Sequence, residues 1–249
     1  MPGNNMPDHA ASSVSDREIA HFDQLAATWW DPKGPMKPLH DMNPMRTEWV
    51  NAHLKRLQGS RGGRLSLLDI GCGAGLASEA YARMGHDVLG LDASPEGIRA
   101  AQAHLADHPL PDNAGPLVYR NGSAETLVRE GQSFDAISAL EVIEHVNDPK
   151  EFLALLHSLT KPGGLVAVST LNRTLLSLAV AKIGAEYIAR LLPVGTHDWQ
   201  KFIKPEELHR MGRAVGLRMI DVAGMSYRPM HWRITRDTSI NYITMFVRD

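Results

Sequence analysis

Short apolar runs alternate with amphipathic stretches along most of the chain, and that rhythm predicts strands and helices in turn. The runs LSLLDI (65–70), DVLGLD (ending at Asp92), PLVYR (116–120), FDAISAL (134–140) and LVAVST (165–170) have the length and continuous hydrophobicity of strands in a buried parallel sheet. Between them, SPEGIRAAQAHL reads as a helix with Ser94 as cap and Pro95 in its first position. Ahead of this unit, residues 1–15 read as a mobile tail, and a helix capped by Ser15 or Asp16 carries Ile19, Phe22 and Leu25. Trp29, Trp30 and DPKGPMKP interrupt the pattern, and a second helix is expected from near Pro44 through Trp49, Val50 and Leu54. After Asn172 come a long apolar helix over about 174–192, a polar connection, a helix over 205–215 and strands near 218–223 and 241–247. The expectation is an α/β, Rossmann-like fold. It has one domain over 16–249, a mostly parallel seven-stranded sheet with an antiparallel closing edge, helices on both faces, and an insertion at 174–204.

Composition narrows the function classes. A formal charge of -2 supplies no broad positive field, so nucleic acid is not an expected partner. A single cysteine, Cys72, excludes an internal disulfide and suits a reducing compartment, and no signal peptide or spanning helix is indicated. The expected location is the cytoplasm.

The turn GCGAG follows the first strand. Gly71 and Gly73 would let the backbone bend sharply and approach a ligand, and Gly75 would relieve crowding where the next helix starts; an ordinary strand-to-helix turn is the other reading. Asp92, at the end of the second strand, is placed to accept hydrogen bonds from ribose hydroxyls. Leu76 stands where a dinucleotide fingerprint wants a small residue, which disfavours a pyrophosphate clamp. Asp69 can orient the amino-acid end of a cofactor or simply bond the turn. In NGSAETL, Ala124 and Glu125 can put a backbone N–H and a carboxylate near an adenine ring, with N-capping by Ser123 as the alternative. Cys72 reads as a packing residue rather than a thiolate.

In LEVIEHVND, Glu141, Glu144 and His145 are spaced i, i+3, i+4 and share one face if a helix follows the fourth strand at once. Such a set suits a divalent ion, which would stabilise a phenolate acting as methyl acceptor; ion pairing and packing are the plainer reading.

The chain resembles the ubiquinone-biosynthesis O-methyltransferase family. The likeness runs from FDQLAATWWDPKGPMKPLHDMNPMR through LLDIGCGAGLASEAYARMG, GLDAS, EVIEHVNDP and TKPGG to STLNRTLLSLAVAKIGAEYIARLLPVGTHDWQKFIKPEEL. It departs from the commoner GCGGG turn at Ala74. The resemblance implies a class I methyltransferase fold with S-adenosylmethionine as cofactor and a polyprenylated phenol as acceptor. Arg46, Gly71, Asp92 and Leu140 match cofactor-contact positions, and Glu141, Glu144 and His145 match a proposed magnesium set. Read on its own, Arg46 either neutralises a cofactor carboxylate or lies on the surface. Trp29 and Trp30 form an aromatic wall or lid, or pack the N-terminal helix; His40, His197 and Asp198 are pocket or surface residues.

Within 174–192, Lys182, Glu186 and Arg190 form a narrow polar stripe against Leu175, Leu176, Leu178, Val180, Ile183, Ile188, Leu191 and Leu192. Residues 173–204 carry five Lys or Arg against two Asp or Glu, a local net of +3. This segment is expected to rest on anionic lipid at the cytoplasmic face of the inner membrane, with packing on the sheet or a dimer contact as the alternative. A quinone-biosynthesis protein complex is a further expected partner. Competing functions are methylation of another small molecule, NAD-dependent oxidoreduction, and adenosine binding without catalysis.

Overall fold

A computed structural model of the chain describes residue 13 and residues 16–179, 199–228 and 231–249. The tail expected over 1–15 therefore lies, apart from Ser13, outside the described residues, as do most of the 174–192 helix, including its stripe Lys182, Glu186 and Arg190, and also His197 and Asp198.

Among the described residues, eight strands form one sheet in the order β3-β2-β1-β4-β5-β8-β6-β7. They are β1 (Ser66–Ile70), β2 (Asp87–Asp92), β3 (Leu117–Asn121), β4 (Phe134–Leu140), β5 (Thr160–Leu171), β6 (Leu217–Arg228), β7 (His231–Thr235) and β8 (Asn241–Arg248). The first five pair parallel and the last three join antiparallel. This is the expected Rossmann-like class with one strand more than the seven expected. The added strand is β7, whose segment HWRIT pairs with Gly224–Arg228 as a hairpin edge.

β4 is buried along all seven residues, its five apolar side chains interrupted only by the buried Asp135 and Ser138. Alternation along β1 sends Leu68 to one face and Leu67 to the other, because successive strand side chains point oppositely. On the Leu68 face pack α5 (Ala124–Arg129), α6 (Pro149–Leu159) and α7 (Pro205–Ala214), through Leu127, Phe152, Leu156 and Leu208. On the Leu67 face lie α2 (Lys37–Arg61) and α3 (Leu76–Arg83), through Val50, Leu54 and Tyr81.

Helix starts follow capping chemistry. Ser94 accepts the N–H of Gly97 ahead of α4 (Pro95–Asp107), and Asp148 accepts the N–H groups of Lys150 and Glu151 ahead of α6. α2 begins seven residues before Pro44, at Lys37, with a proline in its first turn, so Pro44 lies inside the helix. α1 (Asp16–Leu25) runs into a short 3-10 turn at Ala26–Thr28. Strand order reverses between β1 and β4, and the crevice beyond their carboxyl ends is where such sheets bind ligands. No described helix is long and apolar enough to cross a membrane.

Candidate active site

A cavity of about 320 Å³ opens at that reversal, lined by the turns after β1, β2 and β4 and roofed by α1 and residues 29–39. Gly71, Gly73 and Gly75 all have positive φ (68°, 54° and 93°), so the turn needs glycine for its backbone alone. Space demands it too. A Cβ on Gly73 would lie 2.3 Å from the Trp29 ring, and one on Gly71 2.4 Å from Val142. The closest approaches to these glycines thus come from the protein's own side chains, and Trp29 both packs on the turn and lines the cavity.

Asp92 closes β2 with each carboxylate oxygen held by a backbone N–H, from Gly73 and from Ser94, both at 2.7 Å. Burial raises its pKa although those donors pull the other way. Asp69 is buried and accepts the Ser78 hydroxyl at 2.6 Å, tying the turn to α3 while also lining the cavity. Burial pushes its pKa up to about 6. Cys72 lines the cavity, and burial holds its thiol well above its ordinary range, which fits a packing role.

Arg46 is not a surface residue. Only 5% exposed, it reaches the cavity from α2, donates from Nε to Asn43 at 3.3 Å, and leaves Nη1 buried without a partner. Burial lowers its pKa, opposed by Glu141 and Asp69 nearby. A buried guanidinium nitrogen without a hydrogen-bond partner is costly, and an anionic ligand would relieve it. Ala124 and Leu140 line the cavity. Glu125 instead accepts the Ser13 N–H at 2.9 Å and keeps its other oxygen buried and unpartnered. Ser123 holds the N-cap position of α5 but makes no side-chain cap bond.

The second constellation forms differently from the expectation. Residues 141–147 are a turn rather than a helix, because the next helix starts only at its Asp148–Pro149 cap. The shared helical face is therefore absent. Glu141, Glu144 and His145 still line one cavity, brought there by a left-handed Glu141 at φ 58°, the one non-glycine with positive φ among the described residues. The strained residue is pinned by Ser169, whose hydroxyl donates to its Oε1 at 2.6 Å and whose carbonyl accepts its N–H at 3.1 Å. Glu144 accepts the Thr170 hydroxyl at 3.0 Å and contacts Glu141; burial, then Glu141, hold it well above the usual carboxylate range. The His145 Nδ1 lies 3.1 Å from Glu18 of α1.

Among the described residues, no group of three or more His, Cys, Asp or Glu is arranged to hold a metal ion. His145 is engaged by Glu18. The touching Glu141–Glu144 pair nevertheless has the donor chemistry of a hard divalent cation, which commonly takes one or two carboxylates and completes its shell with water.

Residues 42–222 match a methyltransferase-domain family model. The chain is 46% identical to a ubiquinone biosynthesis O-methyltransferase of Cereibacter sphaeroides, covering 96% of this chain and 98% of that one. A protein of the same name from Azorhizobium caulinodans is 47% identical over 94% and 93% of the two chains. The chain belongs to the ubiquinone biosynthesis O-methyltransferase family. Solved structures with the same fold include a magnesium protoporphyrin IX methyltransferase from Synechocystis with bound SAH, at TM-score 0.62, 21% identity and coverage of 94% and 100%. A possible histamine N-methyltransferase from Thermotoga maritima follows at TM-score 0.60 and 16% identity, over 92% and 99%.

Of the positions carried over from the family, Arg46, Gly71, Asp92, Leu140, Glu141, Glu144 and His145 all line the one cavity. Trp30 packs outside it, donating to the Ala74 carbonyl at 2.9 Å and stacking on His104, and His40 bonds the Trp29 carbonyl at 2.8 Å. Sequence reasoning missed Glu18, whose pairing with His145 spans 127 residues and leaves no local spacing to read. It also missed Ser169 and Thr170, which read only as the end of an apolar strand.

Proposed function

We propose that the chain transfers a methyl group from S-adenosylmethionine to a hydroxyl of a polyprenylated catechol or demethylubiquinol. One observation carries the reading: a single cavity joins a glycine turn and strand-end carboxylate suited to adenosine with a polar turn suited to a phenol. Full-length kinship to the family supplies the acceptor class. Asp92 would take the ribose hydroxyls, Arg46 the cofactor carboxylate, and Asp69 its ammonium.

The sulfonium already activates the methyl carbon, so the protein has to align the three reacting centres and make the acceptor oxygen anionic. The hydroxyl gives up its proton to solvent, its oxygen bonds the methyl carbon, and the carbon–sulfur electron pair returns to sulfur to leave S-adenosylhomocysteine. Glu141 and Glu144 would hold a divalent cation, magnesium by family likeness, which when bound supplies Lewis-acid stabilisation of a phenolate. The apolar segment beginning at Leu175 would rest on lipid; Leu175 and Leu176 are 79% and 50% exposed where its helix starts.

Purified protein given S-adenosylmethionine and a polyprenylated catechol should yield S-adenosylhomocysteine and an O-methyl product. Folded, cofactor-bound protein that yields no such product would sink the assignment.

A further inference from the structure

The roof of the cavity is an apolar helix face that packs on neither face of the sheet. Ile19, Phe22 and Leu25, spaced three apart on α1, all line the cavity. Leu25 and Trp29 belong with Met36, Ala74 and Leu76 to a small cluster apart from the two sheet-face cores, and Phe22 packs against it. Three aromatic rings meet there. Phe22 lies edge-on to His145, with centroids 5.5 Å apart and planes at 85°, and tilts against Trp29 at 6.2 Å and 51°.

The three rings have different anchors. Trp29 is pressed onto Gly73, so its ring belongs to the cofactor turn, while His145 belongs to the polar turn after β4 and is held by Glu18, one helical turn before Phe22. Phe22 bridges the two, between the glycine turn and the polar turn. Its ring carries no hydrogen-bonding group for the carboxylate end of the cofactor. A flat aromatic ring is its natural partner, through offset or edge-to-face stacking.

We propose that Phe22 is an acceptor-positioning residue: with Trp29 and His145 it forms an aromatic corner that grips the phenolic ring of the acceptor and turns its hydroxyl toward the polar turn. The inference rests on the methyltransferase reading above. It adds that α1, outside the sheet, sets selectivity for an aromatic acceptor head group independently of the polyprenyl tail.

Catechol, which has a ring and no tail, is the probe. It is titrated by calorimetry into protein loaded with S-adenosylhomocysteine, for wild type, Phe22→Leu and Phe22→Tyr. Leucine keeps the bulk and discards the ring, so catechol should bind about tenfold more weakly, the upper end of what one aromatic pair contributes. Tyrosine should stay within about twofold, and all three proteins should bind S-adenosylhomocysteine alike, which also reports that the variants are folded. Leucine should raise KM for a polyprenylated catechol more than it lowers kcat.

Three results would overturn the proposal: unchanged catechol affinity in Phe22→Leu, S-adenosylhomocysteine affinity falling in step with it, or no catechol binding to loaded wild type. A wild type that binds catechol through Phe22 yet makes no O-methyl product would remove the reaction and leave the aromatic corner standing.

Discussion

Asp69 offers a test in which stability and binding should move in opposite directions. Fully buried, its carboxyl titrates at about 6 instead of its ordinary 3.8, because burial outweighs the Ser78 hydroxyl and the Arg46 charge. Between those two values the folded chain holds a proton that the unfolded chain has lost. Stability therefore falls as pH rises through that window, and the full cost is present above it. The displacement corresponds to about 3 kcal/mol at about pH 8 and to roughly half as much at about pH 5. Asparagine keeps an oxygen to accept the Ser78 hydroxyl and removes the charge. The cofactor-free Asp69→Asn protein should thus be more stable than wild type in urea at about pH 8, by as much as ~3 kcal/mol, with a smaller gain at about pH 5. The same variant should lose roughly ten- to a hundredfold in S-adenosylmethionine affinity, the worth of a charged hydrogen bond. If Asp69→Asn is less stable than wild type at about pH 8, the carboxylate is held favourably by its surroundings and the reasoning fails.

Glu144→Gln preserves shape and removes an acid; turnover should drop on the order of a hundredfold with S-adenosylmethionine affinity within about threefold, and equal turnover after exhaustive chelation would contradict a cation at the pair. Gly73→Ala forces a side chain into a left-handed backbone already covered by Trp29, and thermal denaturation should show a loss of about 1–3 kcal/mol; an unchanged Tm would mean that the Trp29 ring does not sit on the turn. Wild-type protein should co-sediment with anionic vesicles at low salt and release at high salt, and Leu176→Glu should weaken the association; indifference to vesicles at every salt concentration would discard the lipid contact.

The cofactor half of the cavity was legible because its determinants are local. A strand, a glycine turn and an acidic strand end sit within one βαβ unit, and each feature fixes its own backbone. The acceptor half was less so. The i, i+3, i+4 spacing of Glu141, Glu144 and His145 fits a helix, yet Asp148 and Pro149 make a stronger helix start three residues further on. Capping chemistry won over periodicity, and the residues reached the same cavity through a strained turn. The sequence left the role of α1 open, because an apolar face at helical spacing is the same whether it covers a core or a ligand. β7 escaped notice because HWRIT has two basic or titratable residues facing solvent and too short an apolar alternation to stand out.

The charge carried by the cavity is itself an argument for its ligand. Asp69, Asp92 and Glu144 all have their pKa raised, with burial the first cause in each case. Arg46 is the guanidinium among the lining residues, and burial depresses it too. Such a pocket is poor in compensating positive charge, so a cation entering it would be attracted and would draw the raised carboxyls back down. S-Adenosylmethionine carries a net positive charge through its sulfonium, and that charge is lost when the methyl leaves. The same carboxyls would therefore be stabilised in their charged form more by the reactive cofactor than by its spent form.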